Sequence, residues 1–122
     1  MDAADRFDDR EASASDAMTE PTRLRASLQG EKTVVRMQMT HDMETGQRRD
    51  GSGRTIPAWF IRELAVSHNG RIVLQAQWGP AIAKNPYLQF AFRGGRAGDR
   101  IQVRWLDSRG EQRTDETAIV TG

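Results

Sequence analysis

The stretch Phe60-Ile61-Arg62-Glu63-Leu64-Ala65-Val66-Ser67-His68-Asn69-Gly70-Arg71-Ile72-Val73-Leu74-Gln75-Ala76-Gln77-Trp78 decides the fold. Phe60, Leu64 and Val66 fall on one face of an extended chain, and Ile72, Leu74, Ala76 and Trp78 alternate with Val73, Gln75 and Gln77. Successive side chains of a strand point to opposite faces, so a period of two marks a half-buried strand. Asn69-Gly70 separates the two runs. That dipeptide tolerates the positive φ that a type I′ turn requires, and the stretch therefore predicts a β-hairpin. Ile56-Pro57 is expected to open its first strand.

The same alternation extends in both directions. Leu24, Ala26 and Leu28 alternate with Arg23, Arg25 and Ser27, and after Gln29-Gly30 come Val35, Met37 and Met39, alternating with Arg36, Gln38 and Thr40. Beyond Trp78, Gly79-Pro80 breaks the strand and Asn85-Pro86 closes the link, after which Leu88, Phe90 and Phe92 share a face. Gly94-Gly95 and Gly98 mark a loop. Ile101, Val103 and Trp105 alternate with Arg100, Gln102 and Arg104, Asp107-Ser108-Arg109-Gly110 makes a turn, and a last strand runs to the region of Val120. No helix is convincing. The pattern predicts an all-β fold, an immunoglobulin-like two-sheet sandwich of about seven strands, with a small barrel as the alternative.

Residues 1–21 carry seven acids and two arginines around the single Phe7, a net charge of −5. Too little apolar surface is available there to offset ordering entropy, so 1–21 reads as a disordered acidic tail and 22–122 as the sandwich. The remaining ten acids and sixteen bases give the domain a net charge of +6. No apolar run reaches the ~18 residues of a membrane helix, and Met1 to Glu20 lacks the apolar core of a secretory signal. The absence of cysteine excludes disulfides, thiolate metal sites and cysteine nucleophiles.

Met37, Met39, His41 and Met43 are spaced by two, so a continuing strand would align soft thioethers and an imidazole as a Cu(I) site; core packing is the competing reading of the methionines. His41 and His68 are the only histidines, and neither lies in a nucleophile motif. Glu44, Asp50 and Glu63 read as surface partners of arginines, and no phosphate loop, zinc spacing or dinucleotide fingerprint occurs. Because the bases alternate along strands without outward aromatics for stacking, nucleic acid is not expected as a partner. Neither are a membrane, a cofactor, a metal or a catalytic residue.

What stands out is the long polar segment His41–Thr55 and the turn Gly79–Tyr87, with Met43, Trp59 and Tyr87 as apolar anchors. Connections in compact sandwiches are usually about two to six residues, so a longer one invites a functional role.

These two segments also carry a resemblance. His41-Asp42-Met43-Glu44-Thr45-Gly46-Gln47-Arg48-Arg49-Asp50, followed by Gly53-Arg54-Thr55-Ile56-Pro57, resembles the His-x-Met-Glu-Thr-Gly signature of the SoxZ family. Pro80-Ala81-Ile82-Ala83-Lys84-Asn85-Pro86-Tyr87-Leu88 is similar to that family's Asn-Pro-Tyr stretch. The resemblance implies an immunoglobulin-like, cysteine-free, non-catalytic subunit that pairs with SoxY in the SoxYZ carrier of sulfur-compound oxidation. SoxY bears the C-terminal cysteine on which sulfur intermediates from thiosulfate ride, and SoxAX, SoxB and SoxCD dock on it in turn. SoxY carries the export signal, so the resemblance also implies a periplasmic passenger. Met43, Glu44, Gln47 and Arg48, with Asn85 and Tyr87, are the expected partner contacts. Asp42 stands where many members have Pro, and the acidic tail has no recognised counterpart.

Overall fold

The computed structural model describes residues 19–122, so the tail reading falls outside the described residues up to Met18. Among the described residues there is no helix and there are seven strands: β1 (Arg23–Gln29), β2 (Lys32–Gln38), β3 (Ile61–His68), β4 (Arg71–Gln77), β5 (Tyr87–Arg93), β6 (Arg100–Asp107) and β7 (Gln112–Thr121). Their hydrogen-bonded order is β4-β3-β6-β7-β1-β2-β5. β7 is the seam. Its residues Gln112–Ala118 pair antiparallel with β6, while Ile119–Thr121 pair parallel with β1. One strand thus serves both layers of the predicted sandwich, β4-β3-β6-β7 on one side and β5-β2-β1 on the other.

Directly opposed residues in a sheet share a face, so the registers fix what each layer turns inward. Leu24, Met37 and Leu88 form one inward row, and Ala26, Val35 and Phe90 the next. They meet Leu64, Val66, Ile101, Val103 and Trp105 of the other layer in one core. Each large apolar side chain fully buried there contributes roughly 1.5–3 kcal/mol. Arg113 reaches from β7 to the carbonyl of Thr19, and the Thr22 amide donates to Asp115, which ties the chain ahead of β1 to the seam.

The predicted hairpin forms as a β3–β4 turn, with φ of 48° at Asn69 and 85° at Gly70. The expected strand opening at Ile56-Pro57 is corrected: β3 begins at Ile61. The Ile56 amide donates to the Arg48 carbonyl at 2.7 Å, and Trp59 exchanges backbone bonds with Glu44, so 56–60 pairs back onto the long loop instead. Two register shifts also move residues between faces. Ile61 pairs with Asp107 and Glu63 with Leu106, which leaves Arg62 as an extra residue. Ile61 therefore enters the core beside Leu64, and Phe60 is left half-buried at its margin. Likewise Val66 opposes Leu74 while Ser67 opposes Ile72, and the extra Val73, not Ile72, packs against the core. A bulge of this kind reverses the alternation on one side of it.

Candidate functional site

The long loop is a folded structure. Glu44 and Trp59 form a bridge near its base, Arg49 and Thr55 another near its tip. At the tip, Asp50 Oδ1 accepts from the amides of Ser52 and Arg54 and from the Ser52 hydroxyl. The Ser52 hydroxyl, with those amides, holds the Asp50 carboxyl below the usual carboxylate range. Gly46 lies at φ 88°, and a Cβ there would approach Ala58 Cβ to 3.2 Å, so the Thr-Gly step fits only a residue without a side chain.

Beneath the loop lies a buried polar hub. Asp107, at the end of β6, is 1% exposed. Its Oδ2 accepts from Trp59 Nε1 at 2.7 Å and meets His41 Nε2 at 3.1 Å. Its Oδ1 accepts from the amides of Arg109 and Glu111, both at 2.9 Å. The Met43 amide donates to His41 Nδ1 at 3.1 Å, so Nδ1 carries no proton and Nε2–H is the donor to Asp107. Burial is the largest influence on Asp107 and raises its pKa, but the bonds from His41, Trp59, Glu111 and Arg109 outweigh it, and the net shift is downward. Nearby Glu111 is raised, by burial first and then by the Asp107 charge. Above the hub the Arg109 guanidinium lies 4.1 Å from the Trp59 ring centre, a cation–π contact, and His41 packs between Trp59 and Trp105.

The second segment is fastened to the first by one residue. Asn85, at φ 51°, donates its amide to the His41 carbonyl at 2.9 Å and accepts the His41 amide on Oδ1 at 3.0 Å. The Met39 amide donates to the Pro86 carbonyl at 2.9 Å beside it. These bonds bring the two distant segments around one groove of about 550 Å³, lined by Asp42–Thr45 and Arg48 on one wall and Pro80–Lys84 on the other. The groove presents one exposed large apolar side chain, Ile82, 37% exposed on the second wall. Charges rim it: Arg48 holds Glu44 at 2.6 Å, and that bond, ahead of the Lys84 charge, lowers the Glu44 pKa and raises that of Arg48.

The residues named from the sequence divide by exposure. Gln47, Arg48 and Tyr87 face solvent, Tyr87 at 59%, while Glu44 and Asn85 are half-buried. Met43 is 4% exposed; at φ 51° the chain turns and sends its side chain inward, where Sδ accepts from the Ile61 amide at 3.3 Å. Met37, Met39 and His41 are equally buried. Both nitrogens of His41 are occupied by the Met43 amide and Asp107, which leaves no free lone pair for copper. Among the described residues no group of three or more His, Cys, Asp or Glu side chains is arranged to hold a metal ion. His68, the other histidine, is bonded through Nε2 to Asp99 at 2.7 Å and lies against Phe92. The hub was not legible in the sequence because Asp107, at the end of β6, and Trp59, ahead of β3, lie 48 residues apart. The Asp-Ser-Arg-Gly turn was legible as a turn, without any sign that its carboxylate points inward.

Solved structures of the same fold include the superoxide reductase (neelaredoxin) of Ignicoccus hospitalis, 12% identical at a TM-score of 0.56 over 100% of this chain and 100% of that one. A putative superoxide reductase from Thermotoga maritima is 13% identical at a TM-score of 0.53, over 100% and 98%. At such identities the likeness is one of fold alone. No curated protein matches the chain. The family model for sulphur oxidation protein SoxZ matches residues 22–118, nearly all of the described residues, and includes both walls of the groove. The chain belongs to the SoxZ family.

Proposed function

We propose that this chain is the non-catalytic half of a SoxYZ sulfur carrier, and that the groove between its two signature segments grips SoxY. The observation that carries the reading is the convergence of those segments: Asp42–Thr45 with Arg48, and Pro80–Lys84, line one cleft although no strand pairing joins them. The family assignment supports a role in sulfur oxidation. A chain without cysteine has no thiol on which to carry a sulfur intermediate, so the covalent work falls to SoxY. The substrate would be thiosulfate or another reduced sulfur compound, and the compartment the periplasm, reached in company with SoxY.

A carrier arm that visits several enzymes needs a rigid base with exposed docking surface, and loops held on a sandwich supply both. The groove lining combines the exposed apolar Ile82 with the charged Arg48, Glu44 and Lys84, the mixture of apolar anchor and polar groups that an interface uses. SoxAX, SoxB and SoxCD would meet the assembled pair, not this subunit alone.

Co-expression with SoxY should give a 1:1 complex, and Ile82→Asp should weaken it by about a hundredfold while the melting temperature holds, since an exposed anchor contributes to binding rather than folding. A chain that elutes as a monomer beside SoxY and ignores it would remove the proposal.

A further inference from the structure

The outward face of the β5-β2-β1 layer has a composition that folding does not call for. Cross-strand register places Tyr87, Gln38 and Arg23 in its first row, Gln89, Arg36 and Arg25 in the second, Ala91, Val34 and Ser27 in the third, and Arg93, Lys32 and Gln29 in the fourth. Val120 of β7 extends the third row, opposite Ser27. Five cations thus stand on this face without a carboxylate at any strand position.

Arg25 directly opposes Arg36, and Lys32 directly opposes Arg93. Like charges so placed repel and destabilise a sheet. Elsewhere on the surface Arg48 pairs with Glu44, and Arg100 with Glu116. Among the described residues, Arg23, Arg25, Lys32, Arg36 and Arg93 form no ion pair. Arg36 bonds only to the neutral Gln89, at 3.2 Å. None of these residues lines the loop groove.

We infer that this face docks an acidic protein surface that carries an apolar patch between its carboxylates. The third row, Ala91-Val34-Ser27-Val120, is uncharged and stands beside cationic rows; Val34 and Ser27 are buried within it, while Ala91 and Val120, the latter 43% exposed, face solvent, as does Tyr87 of the first row. A polyphosphate backbone would leave the exposed Ala91, Val120 and Tyr87 uncovered, and the concavity of about 320 Å³ that Arg23, Arg25, Arg36, Gln38 and Tyr87 line on this face has a mostly apolar lining that a small anion would not cover. A protein with apolar centre and acidic rim covers both. The uncovered edge of β5, last in the strand order, lies beside the same residues and offers main-chain donors and acceptors to such a partner. The inference is independent of the SoxY reading, which rests on the groove.

The test uses the full chain and a fluorescein-labelled peptide, Asp-Glu-Asp-Glu-Phe-Leu-Phe-Glu-Asp-Glu-Asp, followed by anisotropy. Arg25→Glu with Arg36→Glu should weaken binding by about tenfold or more, and Arg62→Glu with Arg71→Glu, on the other layer, by less than about twofold. Arg25→Gln with Arg36→Gln should also lose the peptide while melting no lower than the parent, because it relieves the opposed charges; this separates binding from folding. Equal losses from both pairs of reversals would overturn the inference. So would a peptide with Gly in place of Phe-Leu-Phe binding as tightly, or a short DNA duplex displacing the peptide at lower concentration, either of which makes the face a general polyanion binder. A large gain in affinity on Asp5→Asn, Asp8→Asn and Asp9→Asn would show that the chain's own acidic segment is the occupant, and would overturn it too.

Discussion

Replacing Asp107 by Asn tests the hub with little change in shape. The native carboxylate accepts four hydrogen bonds, two on each oxygen: His41 and Trp59 on Oδ2, and the amides of Arg109 and Glu111 on Oδ1. An amide keeps one acceptor oxygen. Whichever way it turns, its NH₂ faces two donors, and two buried groups lose their acceptor. His41 cannot help by shifting its proton, because Nδ1 is needed to accept the Met43 amide, and Trp59 Nε1 only donates. At about 1–3 kcal/mol for each buried group left unsatisfied, the expected loss is about 2–6 kcal/mol. In a domain of this size about 1 kcal/mol moves Tm by about 4–8 °C, so a fall of at least about 8 °C is expected in thermal unfolding followed by circular dichroism.

The pH dependence gives a second readout. Asp107 is lowered in the folded state, because the four bonds outweigh the burial that raises it. Its contribution is therefore fully present above the unfolded carboxylate pKa of about 3.9, and is lost as pH falls through the lower folded value. The stability gap between Asp107→Asn and the parent should be constant from about pH 7 to 5 and close below about pH 4. A Tm within about 2 °C of the parent at neutral pH, or a gap that widens in acid, would refute the reasoning.

Met43→Ala should cost about 2–5 kcal/mol in urea unfolding, since it empties a buried site and removes the acceptor of the Ile61 amide. Arg48→Ala, by contrast, removes an exposed cation and should leave the unfolding midpoint where it was while weakening SoxY in a pull-down. Gly95→Ala should destabilise strongly: Gly95 has φ 94°, and the added Cβ would collide with the Thr33 hydroxyl, which is fixed by its bond to the Gly94 carbonyl. Asn85→Ala should lower stability by about 1–3 kcal/mol through loss of the His41 bond, and Asn85→Gly, which still accepts the left-handed backbone, should lower it less.

The fold was legible where its determinants are local. Asn69-Gly70 between two alternating runs specifies a hairpin from adjacent residues alone, and the inward rows of β1, β2, β5 and β6 follow directly from period two. The misreadings concentrate at β3, where one extra residue at Arg62 moves Ile61 into the place assigned to Phe60. Nothing in the composition of that run announces a bulge. Its cause lies across the sheet, in Asp107 and Ser108, whose amide donates to the Phe60 carbonyl.

The site was legible in its parts and not in its assembly. His41, Met43 and Asn85 were all singled out, but their common purpose depends on bonds that span 44 residues in one case and 66 in another. Spacing suggested that Met37, Met39, His41 and Met43 share a face because a strand was assumed to continue. In the folded chain β2 ends at Gln38, and the residues beyond it turn to be clasped by Asn85 and Asp107. His41 and Met43 are thus the fastenings of the loop, and the signature alternates buried anchors with exposed neighbours: Asp42 is exposed and Glu44 half-exposed on either side of buried Met43. An anchor fixed from inside holds the backbone that presents the groove wall, so binding can be specific without requiring the loop to become ordered at the moment of contact. The same arrangement explains why the buried and exposed members of one short motif should separate in experiment, the first acting on stability and the second on affinity.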